Sequence, residues 1–475
     1  SPMTSVLPVV DPRTGDVLAM ATSKKYGNPI SSKDQTHSSY PVFTAYSAFG
    51  ASTYKLFPLL AALSTGVPSS WKLETPQGAY TPSNCMTASH ATNGDAQETY
   101  GRNESLASAT AKSSNTYFVG LADQLFGCNL QPIIKMAEKL GMKSLQQPSG
   151  EGNNDKQTVA QVILANQRAQ QLVLGDINTS PLELTGAYAA VANDGKYNAP
   201  APVLRITGSD GQNIPVKRTP AAQVLSPQVA RQAVQILQGD TQSSGTSADP
   251  FQGWYSKNSS LVAGKTGTMV AHPDESKNSS VWFVGMTPDL VATSALINFA
   301  APFAPAAGLP GLKHPATEAY GEYASGVWLD ALQSSLVHKN WYWPSPDAVS
   351  GEDVPDVTGQ SLTDAKKALA ASGFKMQQLD QADQLECASD QSEGSVAYFA
   401  PKRAERGATI TVCPSSGNRQ LFYTPPPPPP TTHHNTPTAG SSNTTGGGHP
   451  GSAAPTRRGH GPKSPAPPPH RGSSH

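Results

Sequence analysis

Three short strings carry side chains with complementary chemistry: Ser52-Thr53-Tyr54-Lys55, Ser113-Ser114-Asn115 and Lys265-Thr266-Gly267-Thr268. Ser52 and Lys55 stand three residues apart at the start of a predicted helix, so both side chains share one face about one turn, or about 5.4 Å, apart. A serine is a weak nucleophile. A lysine serves as its base only where burial or a nearby cation lowers its pKa well below the free value of about 10.4. Lys265 is the candidate for that second cation. The helix start also directs partial positive charge and free N–H groups at the place where an oxyanion would form. Ser113 and Asn115, two residues apart in a polar break, would face one side of a cleft, the hydroxyl relaying protons and the amide holding a substrate's peptide group. Lys265 to Thr268 reads as strand. There Gly267 would let a ligand backbone approach the edge, while Thr266 and Thr268 share the opposite parity and one face. Any one string alone reads as a capping serine, a turn cluster or a surface strand.

The elements that must bring these strings together can be traced along the chain. Residues 4–22 predict a hairpin at a sheet edge, turning at Asp11-Pro12-Arg13-Thr14-Gly15. Helical spacing follows over 52–66, and over 104–127 on both sides of the Ser113-Ser114-Asn115 interruption. More helix is expected over 131–141 and over 181–194, the latter opening on a proline suited to a first turn. Strands return at 265–270, 280–285 and 290–298, and an amphipathic helix closes near 337. A sheet begun at one end of the sequence and finished at the other, with helices between, predicts a two-lobed α/β domain over 1–345. Its antiparallel sheet and helical lobe would meet at the active cleft. A linker, 346–352, leads to a small α+β piece over 353–417, with a helix in TDAKKALAASGF and strands at 396–399 and 409–413. Residues 418–475, rich in Pro, Gly, Ser and His, cannot bury enough apolar area to offset ordering entropy and are expected to be disordered.

In order, the strings match S-x-x-K, S-x-N and K-T-G. Flanked by DPRTGDVLAM, TSPLELTGAYAAVANDG and SVWFVGMTPDLV, they resemble the transpeptidase domain of penicillin-binding proteins. The segment EAYGEYASGVWLDAL is similar to the one that closes the domain in the class A group. The resemblance implies a DD-transpeptidase acting on the D-Ala-D-Ala end of peptidoglycan stem peptides, with an amine of a neighbouring strand as acceptor and β-lactams as inhibitors. Ser52 would be the nucleophile, Lys55 its base, and Ser113, held by Lys265, the proton relay. Asn115 would bind the substrate amide. Thr266, Gly267 and Thr268 would bind the substrate, the threonines near its carboxylate, with the backbone N–H groups of Ser52 and Thr268 as the oxyanion hole. A DD-carboxypeptidase or serine β-lactamase would use the same residues, and a penicillin-sensing or wall-binding protein is the non-enzymatic alternative. No counterpart of the family's amino-terminal glycosyltransferase is expected within these residues, so they would carry only the peptide chemistry. Two departures stand out: Ala51 occupies a position usually held by glycine, and Pro58, six residues into the helix, is expected to remove a backbone hydrogen bond and bend it. Residues 353–417 resemble one PASTA module, which the family links to cell-wall or regulatory binding; a purely structural appendage is the alternative.

Composition bounds the rest. Lys+Arg 34 against Asp+Glu 34 gives a net charge of +0, which excludes a global basic field for nucleic acid. No apolar run is long enough for a membrane helix, and the first residues carry neither a charged leader nor an apolar signal core. A segment upstream of Ser1, with any anchor, is expected to have been removed or never included. Cys85 with Cys128 and Cys387 with Cys413 would each close a loop within one domain in an oxidising, extracytoplasmic setting; four buried thiols are the alternative. Arg419, Arg457, Arg458, Lys463 and Arg471 in the tail could meet anionic wall polymers, a solvated spacer being the plainer reading. The tail histidines, including His433-His434, lack ligand spacing, so neither a metal nor a cofactor is expected.

Overall fold

The computed structural model describes all residues except 1–2, 29, 32–33, 35, 76–77, 86–89, 94–102, 151–155, 272–277, 299–320, 337–338, 380–385 and 418–475. The expected disordered tail, with its cations and histidines, therefore lies outside the described residues. Both ends of the first domain build one sheet. Its antiparallel strands run in the order Ala263–Val270, Asn278–Met286, Val291–Asn298, Met3–Val10, Val17–Thr22. The two-residue alternation of a strand then feeds two cores. From the middle strands, Trp282, Val284, Ala295 and Ile297 join the helical lobe. Val281, Phe283, Ala292 and Leu296 join the closing helix Gly321–Leu336, where Trp328 is fully buried and donates its indole N–H to the Ala292 carbonyl at 3.1 Å. Burial on both faces explains why these strands read as continuous apolar runs.

The Lys265-Thr266-Gly267-Thr268 string lies on Ala263–Val270, at the edge of this sheet. Its outer rim has no strand partner among the described residues. Against the sheet packs the helix Pro181–Ala192, started by Ser180, whose side chain accepts from the Glu183 N–H, and by Pro181 in its first turn.

The segment bearing Ser52 departs from the expected single helix. Ala51–Lys55 is a 3₁₀ turn, and the α-helix proper is Leu56–Thr65. Pro58 accounts for the division. It has no N–H to offer the Tyr54 carbonyl, so the tighter turn precedes it, and it falls in the first α-helical turn, where N–H groups lack intrahelical partners anyway. The expected mid-helix defect is thereby avoided.

The 353–417 region folds as the helix Leu362–Ala371 against three strands in the order Lys375–Gln378, Thr409–Pro414, Val396–Ala400, the first pair parallel and the second antiparallel. Val357, Ala365, Leu369, Ile410 and Val412 form its own fully buried centre. It also packs on the larger domain. Ala397, Ala400, Cys387 and Cys413 belong to the same apolar cluster as Leu60 and Leu63, and the Lys402 N–H donates to Gln228 Oε1 at 2.6 Å. The stretch joining the two regions is tied down as well, since Arg231 donates to the Ala348 carbonyl and Arg403 to that of Val349. Both cysteine pairs are disulfide-bonded, Cys85 to Cys128 and Cys387 to Cys413, and no cysteine is free. Among the described residues no helix is long and apolar enough to cross a membrane.

Gly66 ends the Leu56–Thr65 helix in the left-handed region, at φ 100°, where a Cβ would lie 2.1 Å from the Phe399 carbonyl oxygen. Gly66→Ala should therefore cost about 2 kcal/mol or more through backbone strain and displacement of the 396–400 strand. A thermal melt checks this: the Tm should fall by several degrees, and an unchanged Tm would contradict the close approach.

Candidate active site

The serine turn is held from several sides. The Gly50 and Ala51 N–H groups donate to the carbonyls of Ile177 and Gly175 at 3.1 and 2.9 Å. Buried Tyr188 donates its hydroxyl to the Thr53 carbonyl at 2.8 Å, and Tyr54 shares hydrogen bonds with Ser144 and Thr179. These bonds impose φ 49° on Ala51, and Ser113 sits at φ 57°. Left-handed non-glycine residues cost of order 1–3 kcal/mol each, so two of them beside one pair of hydroxyls are maintained by the surrounding structure. Glycine at position 51 would relieve that strain, which gives the noted departure a conformational cost.

Two strings far apart in sequence meet at one amine, and the third places its lysine charge within electrostatic reach of it. Lys55 is fully buried, and its Nζ lies 2.9 Å from Ser52 Oγ, 2.6 Å from the Ser113 carbonyl, 3.1 Å from Ser113 Oγ and 2.6 Å from Asn115 Oδ1. Burial, and then the Lys265 charge, push the Lys55 pKa well below that of a free lysine, with Asp240 opposing. A neutral amine has two N–H groups and one lone pair. The Ser113 carbonyl and Asn115 Oδ1 can only accept, so they take both N–H groups and leave the lone pair for the Ser52 hydroxyl. The amide of Asn115 is thus engaged on both sides, because its Nδ2 donates to the Thr92 carbonyl at 2.8 Å. One N–H of Nδ2 and one lone pair of Oδ1 remain beyond these two bonds.

Lys265 also departs from expectation. It is fully buried, and instead of holding Ser113 its Nζ donates to Asp240 Oδ1 at 2.8 Å and to Thr266 Oγ1 at 3.2 Å. Thr246 donates to the same carboxylate oxygen at 2.7 Å and makes a short hydrogen bond with Thr266. Thr266 is consequently buried and turned to this cluster, while Thr268 is only half-buried. Gly267 has a different use from the one expected: an added Cβ would lie 3.1 Å from the Gly50 carbonyl and 3.2 Å from the Thr53 N. The missing side chain lets the edge strand pack on the serine turn. Asp240 and Thr246 escaped the sequence reading because Gly-Asp-Thr after an amphipathic helix has the composition of an exposed turn; no local pattern marks its burial.

A cavity of about 400 Å³ lies elsewhere, between Ser64, Met136 and Lys139 and the small module's Gln377, Pro401 and Thr411, and holds none of the motif side chains. Among the described residues no group of His, Cys, Asp and Glu could hold a metal ion.

An edge strand carrying lysine and threonine lies beside a strained serine turn with a buried lysine, an arrangement suited to acyl transfer. The model of the penicillin binding protein transpeptidase domain matches residues 6–297, and that of the PASTA domain matches 352–412. The chain belongs to the penicillin-binding protein transpeptidase family and carries a PASTA domain after it. Among curated relatives, penicillin-binding protein 1A of Clostridium novyi is 29% identical over 185 residues, covering 38% of this chain and 18% of that protein. Penicillin-binding protein 2a of Streptococcus pneumoniae is 32% identical over 116 residues, covering 24% and 15%. The matched stretches thus span less than a fifth of these relatives. The PonA1 protein of Mycobacterium tuberculosis, solved in complex with penicillin V, superposes with a TM-score of 0.53 at 20% identity, over 72% of this chain and 81% of that one. That likeness is one of fold.

Gly175 supplies the carbonyl that holds Ala51, at φ 75°, and a Cβ there would lie 2.1 Å from the Ala51 oxygen. Gly175→Ala should displace the Ser52 turn. Labelling of the folded variant by a fluorescent penicillin should slow at least about tenfold, in line with the cost of misplacing a reacting group by about 1 Å; wild-type labelling would show that the turn does not depend on this packing.

Proposed function

We propose that this chain is a peptidoglycan DD-transpeptidase working through a Ser52 acyl-enzyme. The observation that carries the reading is the 2.9 Å approach of the Lys55 amine to Ser52 Oγ, with two carbonyl-type acceptors at 2.6 Å directing its lone pair. Ser52 Oγ attacks the penultimate D-Ala carbonyl of a stem peptide and gives its proton to Lys55 Nζ. The tetrahedral oxyanion is held by the backbone N–H groups of Ser52 and Thr268, and collapses with cleavage of the C–N bond. Ser113, 3.1 Å from Lys55, returns the proton to the departing D-Ala amine. An amine from a second strand then attacks the ester, and Ser52 recovers its proton. The open rim of the Ala263–Val270 strand suits an extended peptide added as a further strand, with the half-buried Thr268 hydroxyl at its carboxylate end. Hydrogen bonds to a charged group are worth about 1.5–3 kcal/mol each, so a few donors placed at the developing oxyanion suffice for a large part of the acceleration.

β-Lactams would acylate Ser52 as mimics of the same peptide. An extracytoplasmic location agrees with two disulfides in one chain, which persist where thiols are oxidised. The PASTA domain would add contact with the cell wall.

Intact mass after exposure to penicillin tests the nucleophile. One adduct should form on wild type and persist, and none on Ser52→Ala. Acylation of the variant would reject Ser52, and rapid turnover of the drug would favour a β-lactamase. Mixing a D-Ala-D-Ala donor with an amine acceptor separates a transpeptidase, which yields cross-linked product, from a carboxypeptidase or a receptor.

The charge balance also makes a pH prediction. Lys55 acts as base when neutral, so acylation falls as the pH drops through its lowered pKa. Lys265→Met removes a cation that pushes this pKa down. The acid limb of the acylation profile should therefore move to higher pH, and a limb that stays in place would disprove the coupling.

A further inference from the structure

We propose that Asp240 is a positioning residue of this acyl-transfer site, an anion that anchors Lys265 beneath the edge strand and through it sets the place of the second amine beside Lys55. The inference rests on the transpeptidase reading. Asp240 lies in the 3₁₀ turn Gln238–Thr241, outside all three motifs, and both it and Lys265 are fully buried. One carboxylate oxygen, Oδ1, accepts from Lys265 Nζ at 2.8 Å and from Thr246 at 2.7 Å, while Thr266 Oγ1 accepts from the same ammonium at 3.2 Å. The other oxygen, Oδ2, is buried and has no hydrogen-bond partner among the described residues. A buried carboxylate with one oxygen unsatisfied is costly as scaffold, and apolar side chains would fill the space at least as well. What it does supply is direction, because it fixes the Lys265 ammonium against the Thr246 and Thr266 hydroxyls.

The turn is joined to the other motif elements. The Thr246 N–H donates to the Ala111 carbonyl, two residues before Ser113, and the Ser247 N–H donates to the Asp240 carbonyl. A shift of the Asp240 side chain therefore changes the edge-strand lysine and the ground next to the Ser113 turn together. The charged groups acting on Lys55 are Lys265, from the edge strand, and Asp240, from the turn. Its other neighbours, Ser52, Ser113, Asn115 and the Phe118 ring, are neutral. Asp240 pulls the Lys55 pKa up against the larger effects of burial and Lys265, so removing its charge lets that pKa fall further.

The test measures the pH profile of Ser52 acylation by penicillin, by intact mass, on the full chain. Asp240→Asn should lower the plateau rate at least about tenfold, the scale on which a misplaced group acts, and should move the acid limb to lower pH. Asp240→Glu, which keeps the charge, should return the limb to its wild-type position and recover part of the rate. A merely structural role predicts an unmoved limb and a rate falling only with the folded fraction, and that result would overturn the proposal. So would an equal plateau loss from Asp240→Asn in wild-type and Lys265→Met backgrounds, because a residue acting through Lys265 has nothing to add once that amine is gone. Should Asp240→Asn not fold alone, the double variant strands no lone charge, and its plateau should be no lower than that of Lys265→Met. Wild type left unacylated at Ser52 would refute the transpeptidase reading itself. Wild type acylated there, with an Asp240→Asn profile of unchanged shape, refutes only the role of Asp240.

Discussion

A lysine amine taken out of water is the constraint around which this domain is arranged. Lys55 has no exposed surface, and burial alone disfavours its charged form. An amine whose neutral form is favoured in this way needs two acceptors for its N–H groups and a hydroxyl for its lone pair. Ser113 and Asn115 provide the acceptors and Ser52 the hydroxyl. A second buried lysine nearby strengthens the effect and creates a difficulty of its own, since two ammonium groups in one dry space repel. The structure treats the two amines differently: Lys265 is given an anion, Asp240, and Lys55 only neutral dipoles.

The larger architecture follows from holding those groups still. Ser52 stands on a 3₁₀ turn ahead of the helix Leu56–Thr65, Ser113 on a break between the helices Leu106–Ala111 and Asn115–Gly120, and Lys265 on a sheet edge. Each piece is anchored in a core before it reaches the cleft. The left-handed backbone at Ala51 and Ser113 is the local cost of aiming two hydroxyls at one amine; at Ala51 it is borne by hydrogen bonds to the Gly175 and Ile177 carbonyls and from the Tyr188 hydroxyl. Closing the sheet with strands from both ends of the domain makes the cleft depend on the fold of the whole domain.

Much of this was legible in the residues. The hairpin over 4–22, the strands near 265–298 and the helix over 181–194 were readable because period-two and helical apolar spacing report directly on which face is buried. The three motifs were readable because their chemistry is complementary and ordered. The details that escaped depend on contacts between distant residues. Gly267 looked like a ligand contact, yet its space is used by Gly50 and Thr53. Lys265 was expected on Ser113, and nothing local indicated that a turn at 238–241 would bring a carboxylate beneath the strand. Pro58 was read against a helix beginning at Ser52. Once the α-helix starts at Leu56, the same proline is compatible with it.

The PASTA domain shows the same limit at a larger scale. A proline- and glycine-bearing stretch before it reads as a tether, and a small self-contained core reads as an independent bead; both local features are present. Cross-domain packing is carried instead by residues whose composition gives no sign of it, such as Ala397, Ala400 and Gly66. Small side chains at the join allow backbone to approach backbone, as where Phe399 lies over the end of the Leu56–Thr65 helix. That helix is therefore held at both ends. The Ser52 turn fixes its start in the transpeptidase domain and the PASTA strand covers its finish, so the segment that presents Ser52 is also a structural part of the interface between the two domains.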